Sequence, residues 1–287
     1  MKEKQDNHLK VESSFYMPIP LSERVLKAYV QNNIQELKNK AYRETIRVTE
    51  ATDEPLVDLS ALGINNQSFE WEKLRQLKIK GFDKIGSYLK QNVFVRKTVA
   101  EKLAEVDKRL QSSGYYLYVR SGFRHPVIEE ALFQAAKERF GENLARSRLA
   151  KKEDLVGLNS NYPHATGGVV DVEIWKNDRR IDMGKKGIPL GMFDLELLMS
   201  TDSKHSEARE KLIQAKLSNK FIETPKRWLE YLKNRRLLYY VMRETGFYFI
   251  FDEFWHWGMG DHLSGVAANL LDERDYKPWY GLAKFSI

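Results

Sequence analysis

The chain has 287 residues, of which 42% are hydrophobic and 30% charged, a balance typical of a folded protein and not of a disordered one. The net charge is +7 and there is no cysteine, which excludes disulfides and thiolate metal ligands. No apolar run is long enough to cross a bilayer and no apolar leader follows the charged start, so we expect no transmembrane segment and a cytoplasmic location.

The first part of the chain is predicted to be a helical lead-in of unknown role. A helix is expected from Leu21 to about Val48, with Ser22 as a possible N-cap. Residues 49–80 alternate short apolar and polar pieces and favour no particular element. We therefore divide the chain into the lead-in, residues 1–80, and a main domain, residues 81–287.

Regular patterns begin near residue 93. Apolar residues at three- and four-residue steps predict an amphipathic helix that ends before Gly114. These residues are Val95, Val99, Leu103, Val106 and Leu110. The aromatic and β-branched segment Tyr115–Arg120 predicts a strand, and Pro126 is placed to open a second helix.

The second half of the main domain adds two strands. In residues 168–175, Val170, Val172 and Ile174 share one face and Asp171 lies on the other. Residues 176–200 are rich in turn-forming residues, a helix is expected over about 234–245, and residues 247–251 predict another strand. Together these elements predict an α+β fold with a small, largely antiparallel sheet and flanking helices.

A basic helical insert is predicted at about residues 200–236. Between Lys204 and Arg236 there are ten Lys or Arg against four Asp or Glu. Because the acids are interspersed, a solvated helical insert is favoured over a surface for an anionic partner, and we predict no nucleic-acid partner. The sequence leaves the oligomeric state open.

Two histidines and an aspartate have the spacing of metal ligands. His164 precedes Asp171 by seven residues, and the Gly167-Gly168 pair lets the chain turn sharply between them. His256 follows the second predicted strand. Two imidazoles and one carboxylate form a catalytic zinc set with one position left for water, so we predict one Zn²⁺ per chain on these three residues.

Two further side chains suit hydrolysis. Glu253, three residues before His256, is the natural general base. For both to reach one metal, the segment near 253–255 must depart from a regular strand. Arg124 lies in a turn between the aromatic strand and the Pro126 helix, where it can stabilise a developing oxyanion. Asp261 and His262, just beyond, are expected in a surface loop.

The order of these motifs resembles the D-alanyl-D-alanine dipeptidases of the vancomycin-resistance type, within the zinc DD-peptidase family. The likeness covers roughly residues 90–262 and rests on FRHP (123–126), YPHATGGVVD (162–171), Met183-Gly184 with Phe193-Asp194, and EFWH (253–256). It implies a Hedgehog/DD-peptidase-like zinc fold. It also implies zinc on His164, Asp171 and His256, with Glu253 as base and Arg124 as transition-state stabiliser.

Departures from the family pattern affect the substrate more than the metal. Tyr162 stands where the family has a serine, Val169 where it has an alanine, and Ser121 where an aspartate is common. His125 separates Arg124 from Pro126. Of Trp255 and Trp257, one is expected to lie in the core and the other at the rim of the pocket. We assign Tyr162 and Trp255 to substrate binding.

The sequence supports one leading function and two alternatives. The leading prediction is an enzyme, a zinc-dependent peptidase that hydrolyses a small D-amino-acid dipeptide, D-Ala-D-Ala first. The runner-up is a D,D- or L,D-carboxypeptidase of the same family that trims longer peptidoglycan peptides, which would suit the positive charge. The third is a non-catalytic zinc-stabilised binding module, which would need neither Glu253 nor Arg124.

Overall fold

The computed structural model describes residues 11–31, 48, 50–77, 86–142, 155–156, 159–160, 163–184, 191–216, 225–249, 253–272 and 276–284. These residues form a mixed α+β fold with a small antiparallel sheet, as the sequence predicts. The helices, in chain order, are α1 (Val11–Ser14), α2 (Glu23–Val30), α3 (Phe69–Leu77), α4 (Lys97–Gln111), α5 (Pro126–Phe140), α6 (Asp194–Met199), α7 (Ser206–Lys216), α8 (Pro225–Arg243) and α9 (His262–Asp272). The strands are β1 (Leu56–Asp58), β2 (Asn65–Asn66), β3 (Phe94–Arg96), β4 (Tyr115–Ser121), β5 (Leu155–Val156), β6 (Asn159–Ser160), β7 (Val169–Lys176), β8 (Arg179–Arg180), β9 (Tyr248–Phe249) and β10 (His256–Gly258).

The main sheet has the order β2-β4-β7-β10-β9, with β8 also paired to β7. Only β2 runs parallel to its neighbour; the other pairs in this sheet are antiparallel. Strand β7 is central because its alternating residues Val170, Val172 and Ile174 are fully buried against the core. Its opposite face carries Asp171, as predicted, and also Glu173 and Trp175, and all three are at intermediate exposure.

Several predicted boundaries are corrected by tertiary contacts. Val95 lies in β3, paired with Val57 of β1, and not in the helix, which begins at Lys97. The turn-rich segment contains α6, because Asp194 at its start is buried and accepts hydrogen bonds from Tyr29 Oη (2.6 Å) and Gly191 N (2.8 Å). The helix expected from about residue 234 begins earlier, at Pro225.

In the lead-in, Ser22 caps α2 by accepting from Val25 N at 3.3 Å, as predicted, and the helix ends at Val30. The rest of the expected helix, residues 32–47, lies outside the described residues, as do residues 250–251 of the strand predicted over 247–251. Residues 49–80, for which no element was favoured, supply β1, β2 and α3.

The lead-in and the later part of the chain share one hydrophobic core. Ile19, Val25 and Tyr29 belong to the same buried cluster as Val119 and Val172 of the sheet. Helix α2 packs against α7 and α9, and α1 packs against α8. Burial of this apolar surface stabilises both parts together. The domain boundary at residue 80 itself stays a prediction.

Candidate metal centre

The three predicted ligands meet at the middle of the sheet. His256 on β10 lies directly opposite Asp171 on β7, so their side chains project side by side. His164 belongs to a short helical turn, Pro163–Thr166, that leads into β7. One potential ligand atom from each residue lies within 4.8 Å of the others, which forms a buried group that can hold a metal ion.

The turn that carries His164 is held tightly against its surroundings. Gly167 has φ +72°, and a Cβ there would lie 2.7 Å from Leu56 Cδ2. Gly167 O accepts from Arg96 N at 2.9 Å, and Thr166 O accepts from Arg96 Nε at 2.8 Å. A side chain at position 167 would therefore be both strained and crowded. The end of β3 thus fixes the position from which His164 reaches the sheet.

His164 is held in one tautomer. Its Nδ1 lies 2.9 Å from Gly122 O, and because a carbonyl only accepts, Nδ1 must donate. Burial lowers the pKa of His164 to about 3, so the ring is neutral near pH 7. Its Nε2, 3.6 Å from Asp171 Oδ2, therefore carries a free electron pair. This is the state that a metal-ligating imidazole requires.

Asp171 is ionised despite its position. Burial alone would raise its pKa, but the adjacent imidazoles of His164 and His256 hold the pKa at about 2. Oδ1 lies 3.1 Å from His256 Nδ1, but no described donor reaches this oxygen with hydrogen-bond geometry. A buried charged oxygen without a hydrogen bond is costly, and a bound cation would relieve that cost.

Glu253 lies beside the three ligands and is not one of the group. Residues 253–255 form a turn in which His256 N donates to Glu253 O at 3.1 Å, so the predicted irregular segment is confirmed. The turn brings Glu253 Oε2 to 3.8 Å from His256 Nδ1. The side chain of Glu253 is 36% exposed, against 7% for His256. A partly solvated carboxylate beside the cluster can exchange protons with water.

Arg124 is coupled to the centre through the backbone of its turn. Gly122 O accepts from the His164 ring, and Arg124 N donates to His164 O at 3.2 Å. The Arg124 guanidinium is buried between two carboxylates, with Nη1 2.9 Å from Glu129 Oε1 and Nη2 2.5 Å from Glu70 Oε1. Burial alone would lower the pKa of Arg124, but Glu129 and Glu70 outweigh it and raise the pKa. The side chain is therefore a fixed cation.

The two predicted substrate-binding residues have different outcomes. Tyr162 lies outside the described residues. Trp255 is partly buried and packs edge-to-face on Phe254 with ring centroids 4.9 Å apart. Trp257 is fully buried, so it is the tryptophan of the pair that lies in the core. A substrate role for Trp255 stays a prediction.

Sequence reasoning missed two buried acids near the centre, Glu70 and Glu129, and placed a third, Asp261, wrongly. Glu70 and Glu129 contact Arg124, and only Glu129 has a local signal, in the first turn of the helix that follows Arg124. The expected surface loop at Asp261 and His262 is wrong, because both are buried. Asp261 instead caps α9, with Oδ1 accepting from Leu263 N (2.8 Å) and Ser264 N (3.2 Å).

Comparison with known proteins identifies no family. No protein-family model matches the chain, and no curated protein matches it significantly. Among the described residues, no helix is long and apolar enough to cross a membrane.

Proposed function

We propose that this chain is a zinc-dependent peptidase that hydrolyses a small D-amino-acid dipeptide, with D-Ala-D-Ala as the first candidate. The observation that carries the proposal is the buried group of His164, Asp171 and His256 with a separate carboxylate, Glu253, beside it. The sheet that presents these residues supports the finer proposal of a Hedgehog/DD-peptidase-like zinc fold. The motif order described above supports the dipeptidase class.

The donor set fits zinc. Two imidazole nitrogens and one carboxylate oxygen are typical catalytic zinc ligands, whereas magnesium and calcium prefer oxygen alone. Three protein ligands leave a coordination position open, and a structural zinc site usually has four. When bound, zinc would supply a Lewis acid that polarises a carbonyl group and lowers the pKa of a water molecule.

The chain's own residues would handle the proton and the developing charge. Glu253 would take a proton from the attacking water and pass it to the leaving amine. Arg124 would stabilise the oxyanion. Its Nη1 and Nη2 atoms already donate to Glu129, Glu70 and Ser121, but its buried Nε has no partner among the described residues. In the proposed complex this N–H would donate to the substrate oxygen.

A hydrolysis panel tests the proposal. The purified chain is incubated with D-Ala-D-Ala, D-Ala-D-lactate, L-Ala-D-Glu and a muramyl pentapeptide, each with and without zinc. Zinc-dependent release of D-Ala from the free dipeptide is expected. Cleavage of the pentapeptide alone would select a peptidoglycan carboxypeptidase instead. Full zinc occupancy without turnover of any substrate would select a non-catalytic zinc module.

A further inference from the structure

Glu70, in the first turn of α3, reaches the proposed active site from the lead-in. Its side chain is 6% exposed, and its Oε1 lies 2.5 Å from Arg124 Nη2, although 54 residues separate the two in the chain. Oε1 also accepts from Ser121 Oγ at 2.7 Å, and Oε2 accepts from Ser68 Oγ at 2.9 Å. Both carboxylate oxygens are therefore held by defined donors.

A second acid completes the enclosure of the guanidinium. Glu129 is 4% exposed at its side chain and lies 2.9 Å from Arg124 Nη1. The two acids lie in the first turns of α3 and α5, where the helix dipole favours negative charge. Arg124 thus has a buried carboxylate group within hydrogen-bond distance of each terminal nitrogen. Two directed ion pairs fix the plane of a guanidinium better than one does.

The sheet links this arrangement to the metal centre. A register shift between Val119 and Ser121 brings Ser121 opposite Asp171 on β7. Ser121 Oγ, which donates to Glu70, lies 3.0 Å from Arg124 Nη2. A cavity lined by Arg124, Ser68, Glu70, Tyr88 and His125 has a volume of about 20 Å³. This volume is room for about one water.

We propose that Glu70 is a positioning residue of the active site, which together with Glu129 fixes the Arg124 guanidinium toward the substrate oxyanion. The lead-in would then be part of the catalytic unit and not a separate segment. This inference rests on the proposed function. The charge state of Glu70 agrees with the geometry: burial works to raise its pKa, but Arg124 outweighs burial and lowers the pKa, so this carboxylate is ionised.

The test compares Glu70→Gln with Glu72→Gln on the zinc-loaded protein and D-Ala-D-Ala. Glu70→Gln keeps the size of the side chain but removes its charge. Its kcat should fall on the order of 10-fold, with KM and zinc content unchanged, because the lost interaction acts in the transition state. Glu72 is on the same helix and pairs with Arg120 at 3.0 Å, but its side chain is 43% exposed. Glu72→Gln should leave kcat unchanged.

A double-mutant cycle separates positioning from general folding effects. Glu70→Gln should lower the melting temperature of the wild-type protein but raise that of Arg124→Ala, where Glu70 is a buried charge that has lost its cation. In the Arg124→Ala background it should change kcat by less than about 3-fold. An equal loss of melting temperature in both backgrounds, or normal kcat in Glu70→Gln with full zinc, would overturn the inference.

Failure of the proposed function and failure of the role of Glu70 give different results. Wild-type protein that hydrolyses no substrate in the panel refutes the proposed function, whereas an active wild type with an equally active Glu70→Gln refutes only the role of Glu70. If Glu70→Gln does not fold, Ser121→Ala decides, since it removes one hydrogen bond to Glu70 and one to Arg124. A few-fold fall in kcat at constant KM then supports the inference, and unchanged kcat overturns it.

Discussion

Glu253 and Glu173 are two partly exposed carboxylates near Asp171, and their neighbours distinguish them. Glu173 accepts from Arg180 Nη1 at 3.0 Å and from Trp175 Nε1 at 3.1 Å, so it is engaged in surface contacts. Glu253 instead has its carboxylate 3.8 Å from the ring of His256. Proximity to the candidate ligands, and not exposure alone, selects Glu253 as the proposed base.

Replacing Glu253 by glutamine tests that role. The amide keeps the size of the side chain but cannot accept the proton, so kcat should fall by about 10²–10⁴-fold. Zinc content, measured by metal analysis, should be unchanged. Glu173→Gln is the matched control and should retain kcat. Near-normal turnover in Glu253→Gln, or a defect explained only by loss of zinc, would remove Glu253 as the base.

His164→Ala tests the metal site without relying on turnover. The variant loses one of the three proposed ligands, so zinc bound after dialysis should fall from the proposed one per chain to a small fraction. His205→Ala is the control, because His205 contacts Ser200 Oγ at 2.7 Å and is not part of the ligand group. Equal zinc content in both variants would contradict the proposed site.

At the scale of elements, two short connections set the geometry of the centre. The turn after β4 carries Gly122 and Arg124, and the turn before β7 carries His164. They are joined by hydrogen bonds in both directions, from the His164 ring to Gly122 O and from Arg124 N to His164 O. A shift of either turn would therefore displace both His164, the candidate ligand, and the Arg124 side chain.

Gly167→Ala tests the turn before β7. Both Gly167 and Gly114 have positive φ, +72° and +74°, so alanine at either position should cost about 1–2 kcal/mol in the free energy of unfolding. At Gly114 no atom lies within 4 Å of the added Cβ, whereas at Gly167 Leu56 Cδ2 would lie at 2.7 Å. We expect Gly167→Ala to lower the free energy of unfolding more than Gly114→Ala does. Only Gly167→Ala should also bind zinc more weakly. Denaturant unfolding and zinc titration of both variants measure this, and equal effects would contradict it.

At the scale of the whole molecule, buried contacts tie the lead-in to the second half of the chain. Tyr29 Oη donates to Asp194 Oδ1 at 2.6 Å across 165 residues. Glu54 joins Tyr280 Oη at 3.0 Å and Thr98 N at 2.9 Å, which links the lead-in to the C-terminal part and to α4. Hydrogen bonds between residues so far apart in the sequence form only when the lead-in and the rest of the chain have folded together.

Tyr29→Phe tests this coupling. The change removes the hydroxyl and with it a hydrogen bond to the buried carboxylate of Asp194, which should cost about 1–3 kcal/mol in the free energy of unfolding. Tyr16→Phe is the control, because Tyr16 is 70% exposed and should change stability by less than about 0.5 kcal/mol. Equal denaturation midpoints for the two variants would show that the Tyr29–Asp194 bond contributes nothing.

The pH dependence of the metal-free protein provides another global test. His164 has its pKa lowered by burial to about 3, below the ordinary value of 6.5. As pH falls from 6.5 toward 3, the unfolded chain binds a proton at this residue that the folded chain does not, so folded stability decreases. This residue contributes at most about 1.4 kcal/mol per pH unit. The slope should be smaller in His164→Ala, and identical slopes would contradict the buried neutral imidazole.

The sequence alone determined the local parts of the molecule. The alternation of β7, the cap at Ser22, the start of α5 at Pro126 and the closeness of His164 to Asp171 all follow from interactions within a few residues. The spacing also predicted that the chain would turn before His256. Residue-level preferences suffice here because the backbone period and the turn residues act locally.

Tertiary structure decided the rest. The segment predicted to start a helix forms β3 because it pairs with β1. Asp261, expected in a surface loop, is buried and caps a helix instead. The pairing of Glu70 with Arg124 depends on the register shift in β4 and on how α3 packs beside it. No pattern within a short segment encodes which distant carboxylate will meet a buried guanidinium, because the free energy of that ion pair exists only when both elements have excluded water around it.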